Sequence, residues 1–128
     1  MIGPESEVLS KRILCVEDEA GTRRIVKQVL KQSGFKNVEL VENGGAGLQL
    51  FRNAQADLLL LDIGLPDING LDILADVKQS RPDFPVVMLT MQSDQQVVSK
   101  ALELGCDGYV LKPITAEQLV NTITKALS

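Results

Sequence analysis

The run Asp57-Leu58-Leu59-Leu60-Leu61-Asp62-Ile63-Gly64-Leu65-Pro66 constrains the chain more than any other stretch. Four consecutive leucines between two aspartates fit a short strand buried on both faces, as in a parallel sheet covered by helices. A charge has no place along such a strand. Asp62 therefore belongs at its C-terminal end, where the chain leaves the core for a Gly-Pro loop. In open parallel sheets that edge is where ligands bind, so Asp62 is the first candidate for a reactive group.

The same design recurs along the chain. Ile13-Leu14-Cys15-Val16 is an apolar run stopped by Glu17-Asp18-Glu19. Val38 to Val41, Val86-Val87-Met88-Leu89 closing on Thr90, and Tyr109-Val110-Leu111 before Lys112-Pro113 read as further strands. Between them the apolar spacing turns helical: Ile25, Val26, Val29 and Leu30 with Gly34 as a stop, then Leu48, Leu50 and Phe51 after the break at Asn43-Gly44-Gly45. Leu71, Leu74 and Val77 predict a third helix, and Val97, Val98, Ala101 and Leu102 before Gly105 a fourth. Thr115-Ala116-Glu117-Gln118 is a capping box opening a fifth, whose apolar residues are Leu119, Ile123, Ala126 and Leu127.

Five strands alternating with five helices predict an α/β domain with helices on both faces of a parallel sheet. With right-handed crossovers the expected form is doubly wound and flavodoxin-like, in strand order 2-1-3-4-5. The 128 residues suffice for one such domain, expected over residues 11–128, with residues 1–10 a disordered leader.

Composition narrows the chemistry. The chain has no histidine, which excludes Ser-His-Asp or Cys-His nucleophile systems and histidine metal sites, and leaves carboxylates, hydroxyls and lysines. A net charge of −4 with no basic run predicts no direct nucleic-acid binding. No apolar run approaches the roughly 18 residues of a membrane span. Cys15 and Cys106 are isolated from each other, so the expectation is reduced, partly buried thiols in a cytoplasmic protein.

The strand ends converge. In the expected order strands one, three, four and five are neighbours, and their C-terminal ends bring Glu17, Asp18, Asp62, Thr90 and Lys112 to one edge. Three carboxylates held close repel one another and call for a cation. All-oxygen donors point to Mg²⁺, which takes one or two carboxylates and keeps waters and a phosphate oxygen. A carboxylate beside such an ion is placed to attack phosphorus. Lys112 and Thr90 would then contact the other phosphoryl oxygens.

These pieces carry a resemblance. Ile13 to Glu19, Leu61 to Gly70, Val87 to Thr90 and Gly108 to Pro113, in order and at the strand ends, resemble the receiver domain of two-component response regulators, in the fold of the chemotaxis receiver. The match runs from about Lys11 to Leu127. It implies that Asp62 is the phospho-accepting aspartate and that Asp18, Asp62 and the Gly64 carbonyl ligate Mg²⁺, with Glu17 acting through water. It further implies Thr90 as the switch hydroxyl, Tyr109 as the aromatic that turns inward behind it, Lys112 as the phosphoryl-binding lysine, and a cis Lys112-Pro113 bond. The implied donor is a histidine kinase or histidine phosphotransfer protein. The implied readout is an output domain or downstream target protein that senses the fourth helix, fifth strand and fifth helix.

Two positions depart from the family pattern. Met91, where the residue after the switch hydroxyl is usually small, would modulate access to the site, and Gly64 has no side chain to position a hydrolytic water. Two other functional readings compete, and one motif is set aside. A degenerate receiver would act as a phosphorylation-independent interaction module. A phosphatase of the haloacid-dehalogenase type needs a second aspartate where Gly64 stands. Gly44, Gly45 and Gly47 lack the Lys-Ser/Thr of a phosphate-binding loop and read as a flexible loop and helix start.

Overall fold

The computed structural model describes residues 6–128. Its strands are β1 (Arg12–Val16), β2 (Asn37–Val41), β3 (Leu58–Leu61), β4 (Val86–Thr90) and β5 (Gly108–Leu111). Its helices are α1 (Ser6–Leu9), α2 (Ala20–Gln32), α3 (Gly44–Arg52), α4 (Gly70–Ser80), α5 (Gln95–Glu103) and α6 (Ala116–Ala126). All strand pairs are parallel, in the order β2-β1-β3-β4-β5. The doubly wound, flavodoxin-like fold is the one expected.

Each strand sends alternate side chains to opposite faces, which splits the core in two. Leu14, Val16, Leu59, Leu61, Val86 and Met88 pack beneath α3, α4 and α5 with Leu48, Phe51, Ile73, Leu74, Val77 and Ala101. Ile13, Cys15, Leu58, Leu60, Val87 and Leu89 face α2 and α6 with Val26, Leu30, Leu119 and Ile123. The leucine run is buried throughout because both faces of β3 are covered.

Most helix boundaries follow local chemistry. Asn43, Asn69, Asp94 and Thr115 each accept a backbone N–H of the helix they precede, satisfying donors that the first turn leaves unpaired. Gly34 and Gly105 stand just past α2 and α5 with φ of 97° and 95°, the left-handed conformation that suits glycine at a helix end. Gly21, in the first turn of α2, has nothing within 4 Å of where a Cβ would sit. Gly21→Ala is therefore expected to stabilise the fold by about 0.5 kcal/mol, from reduced chain entropy in the unfolded state. Thermal unfolding checks this, and a lowered midpoint would contradict it.

One expectation needs correction. Six helices are present among the described residues, not five, because part of the expected leader, Ser6–Leu9, forms α1. Its Val8 and Leu9 pack against the α2/α6 side of the core, and Lys36 N–H donates to the Leu9 carbonyl at 3.1 Å. Residues 1–5, which the expected leader also covers, lie outside the described residues. The double glycine opens α3, the helix start expected there, and is held by a side chain from another loop, as described below. The expected fourth and fifth helices are thus α5 and α6. Cys15 and Cys106 are free thiols, Cys15 fully buried, and burial first of all pushes both thiols above the usual range. Among the described residues no helix is long and apolar enough to cross a membrane.

Candidate phosphoryl-acceptor site

The sheet ladder extends one residue past the strands and thereby fixes the site. Glu17 N–H donates to the Val41 carbonyl at 3.0 Å, Asp62 N–H to Val16 at 3.1 Å, and Lys112 N–H to Thr90 at 3.0 Å. Three residues that lie far apart in sequence thus follow β1, β3 and β5 at the same C-terminal edge of the sheet. The Lys112-Pro113 peptide bond is cis.

Glu17 is wholly buried and Asp62 is 6% exposed, whereas Asp18 is open to solvent. One carboxylate oxygen from each lies within 4.8 Å of the others. Lys112 Nζ sits 2.6 Å from Glu17 Oε1 and 3.2 Å from Asp62 Oδ2. Glu17 Oε1 is buried without a hydrogen bond of acceptable geometry, so its close contact with Lys112 is an ion pair. Glu17 Oε2 accepts from Glu19 N–H at 3.0 Å, and Asp62 Oδ1 from Gly64 N–H at 3.3 Å.

Burial pushes the Glu17 carboxyl above its ordinary range and Asp62 adds repulsion, against the pull of Lys112 and the Glu19 amide. Burial draws Lys112 down, but Glu17 and Asp62 together outweigh it and leave the ammonium net raised. Three carboxylates against one ammonium leave an excess of negative charge, with hard oxygen donors converging and one buried oxygen lacking a directional partner. That donor set fits a divalent cation such as Mg²⁺, with Asp18 on the solvent side.

Two sequence-derived candidates meet over Gln92. Thr90 is buried, and its Oγ1 accepts from Gln92 N–H at 3.2 Å. The half-buried Tyr109 donates its hydroxyl to the Gln92 carbonyl at 2.6 Å. Among the described residues the Thr90 hydroxyl makes no hydrogen bond to Asp62 or to the Lys112 side chain; it is engaged by its own loop. Met91 is 75% exposed and projects into solvent. Gly64 is exposed, and nothing lies within 4 Å of where its Cβ would be.

Sequence reasoning missed Arg23. Its Nη1 donates to the Glu17 carbonyl at 2.8 Å and its Nη2 to Glu42 Oε1 at 3.2 Å, bracing the acidic turn against the end of β2. The only signal was a basic residue one turn into the helix that follows the acidic triplet. A cavity of about 480 Å³ lies at the opposite edge, between Lys11, Asp57, Arg81 and Phe84. It holds none of the converging groups, so chemistry rather than volume locates the site.

The sequence profile of the response regulator receiver domain matches residues 13–124. The chain is 29% identical over 120 residues to the chemotaxis protein CheY of Bacillus subtilis, covering 94% of this chain and 100% of that one. It is 37% identical to the transcriptional regulatory protein PcoR of Escherichia coli, over 91% of this chain but only 51% of PcoR. Among solved structures, a CheY-like receiver domain protein from Methanospirillum hungatei superposes with a TM-score of 0.85 at 32% identity, covering 92% of this chain and 94% of that one.

Proposed function

The chain belongs to the response regulator receiver family, and on that premise we propose that it is a phosphorylation switch whose reactive group is Asp62. One observation carries the reading. A nearly buried carboxylate at the sheet edge is held by Lys112 on one oxygen and by the Gly64 amide on the other, with two further carboxylates beside it.

In this reading Asp62 attacks the phosphorus of a phosphohistidine on a histidine kinase or histidine phosphotransfer protein. An O–P bond forms, the N–P bond breaks, and the imidazole nitrogen leaves with the electron pair and takes up a proton. Asp18, Asp62 and the Gly64 carbonyl, with Glu17 through water, would hold Mg²⁺, which supplies neutralising charge for the incoming phosphoryl group. Lys112, already within reach of Asp62, contacts a phosphoryl oxygen and offsets the charge that develops there. The domain acts as a switch that catalyses its own phosphorylation and hydrolysis.

The readout follows from Gln92. Thr90 and Tyr109 both hold this residue, so drawing the Thr90 hydroxyl toward a phosphoryl group releases one grip on the β4–α5 loop and shifts the other. The surface of α5, β5 and α6 would then move between two populated states. It exposes Leu102 (60%) and Leu111 (38%), apolar groups that a downstream target or output domain could cover.

Acetyl phosphate with Mg²⁺, followed by intact-mass measurement, tests the reading. A phosphate-sized gain is expected in the parent and none in Asp62→Asn. No gain at any Mg²⁺ concentration, with the fold intact, would replace this reading with that of a phosphorylation-independent interaction module.

A further inference from the structure

We infer that Asp67 is a positioning residue for the cation site: by clamping the first turn of α3 it fixes the loop that presents the Gly64 carbonyl. The inference rests on the function proposed above. Asp67 Oδ1 accepts from Gly44 N–H and Oδ2 from Gly45 N–H, both at 2.8 Å. A carboxylate that bridges two helix N-terminal amides is favourably placed for charge as well as hydrogen bonding. These two amides hold the Asp67 carboxyl below its ordinary range.

Helix α3 has a second cap besides this clamp. Asn43 already caps it, accepting from Ala46 N–H at 2.9 Å, and Gly47 N–H bonds back to the Asn43 carbonyl at 3.2 Å. The exposed Gly45 amide could also be satisfied by water. Gly64 itself lacks side-chain support. It has no side chain, and no atom lies within 4 Å of its Cβ direction, so packing does not fix its peptide orientation.

Backbone pins do so instead. Gly64 bridges to Asn69, Leu65 N–H and Gly70 N–H both donate to the Ile63 carbonyl, and Pro66 restricts the turn between. Gly64 and Asp67 therefore lie on one short closed loop, which Asp67 joins to α3 by hydrogen bonds beside the packing of Ile68 at Gly44. That helix is a firm anchor: Gly47 lies so close to β1 that a Cβ there would stand 2.6 Å from Val16 Cγ2, and Leu48 and Phe51 are in the core. The clamp runs from the core through α3 and Asp67 to Gly64.

The test is a Mg²⁺ titration followed by backbone amide shifts, on the parent, Asp67→Ala, Asp67→Asn and Asp18→Asn, with thermal midpoints taken in EDTA. Asp67→Ala is expected to weaken Mg²⁺ binding roughly tenfold, the scale at which groups behind metal ligands act, and to perturb the Gly64 amide. Its phosphorylation at saturating Mg²⁺ should approach the parent rate. If Asp67→Ala does not fold, Asp67→Asn keeps one acceptor for one of the two amides and should show a smaller loss. Mg²⁺ affinity equal to the parent's in a variant with a lowered midpoint would overturn the inference and leave the clamp to α3 alone. A parent that binds no Mg²⁺, indistinguishable from Asp18→Asn, would overturn the proposed function and this inference with it.

Discussion

Gly70→Ala is expected to destabilise the fold by roughly 3 kcal/mol or more, at the upper end of what overpacking costs. A Cβ at Gly70 would lie 2.1 Å from the Asp62 carbonyl oxygen and 2.6 Å from Ile63 Cα. Both are backbone atoms, of the acceptor residue and its neighbour, on a segment pinned by the Gly70 N–H to Ile63 carbonyl bond at 2.8 Å. Neither can swing aside as a side chain can, so relief requires moving the end of β3 or the start of α4. For a domain of this size the loss corresponds to a thermal midpoint lower by about 10 °C. The displaced atoms belong to Asp62 and its neighbour Ile63, so molecules that still fold should also take up phosphoryl more slowly.

The other close glycines provide the comparison. A Cβ at Gly47 would meet Val16 Cγ2 at 2.6 Å, and one at Gly44 would meet Ile73 Cδ1 at 2.8 Å, both side-chain methyls that can re-pack. Alanine at either should cost less than at Gly70, within the range of about 1–3 kcal/mol for ordinary overpacking. Denaturant unfolding of the three variants gives the ranking. A Gly70→Ala domain within about 1 kcal/mol of the parent would show that the loop yields more than this geometry allows.

What the sequence discloses of this architecture follows from where burial and charge change abruptly. The leucine run ends at Asp62 and the first apolar run at Glu17, and both residues stand one step beyond their strands, because a strand covered on both faces admits no charge along its length. Lys112 is legible for the same reason. Contacts that join distant segments at side-chain level are not. Asp67 reads as one more polar residue of a Pro-containing loop, and only the fold places it on amides 22 and 23 residues away. Gly44-Gly45 reads as a breaker because local propensity disfavours glycine in a helix, while the Asp67 carboxylate and the close approach to Ile73 and Ile68 favour it there. Helix α1 has too few residues to show a period, and its Val8 and Leu9 acquire meaning only from the core edge they cover. The hydrogen bonds of Thr90 and Tyr109 to Gln92 are likewise tertiary facts, although the residue types at those strand ends are visible beforehand.

Lys112→Met is expected to abolish efficient phosphoryl uptake and to lower stability by about 3 kcal/mol near neutral pH, because it strips the cation from a buried carboxylate pair. The accompanying pH dependence separates this cause from lost packing. Glu17 has a folded-state pKa raised above its ordinary 4.5, by burial first and by Asp62. For a carboxyl shifted upward the folded state binds the proton more tightly, so stability is highest below the unfolded pKa and falls as pH rises toward the folded one. Lys112 opposes that shift, and removing it carries the Glu17 pKa further up and widens the window. Lys112 itself is net raised, so its own contribution is fully present below its ordinary 10.5 and is lost only as pH rises above that value. The deficit of Lys112→Met in Mg²⁺-free buffer should therefore be larger at pH 7.5 than at pH 5, where Glu17 can take up a proton in the folded state. Methionine keeps most of the lysine stem's volume, so a deficit equal at the two pH values would assign the loss to packing. A deficit that shrinks on acidification identifies the ammonium as the group that makes a buried Glu17 beside Asp62 tolerable, and hence as the group already in place to meet a phosphoryl charge.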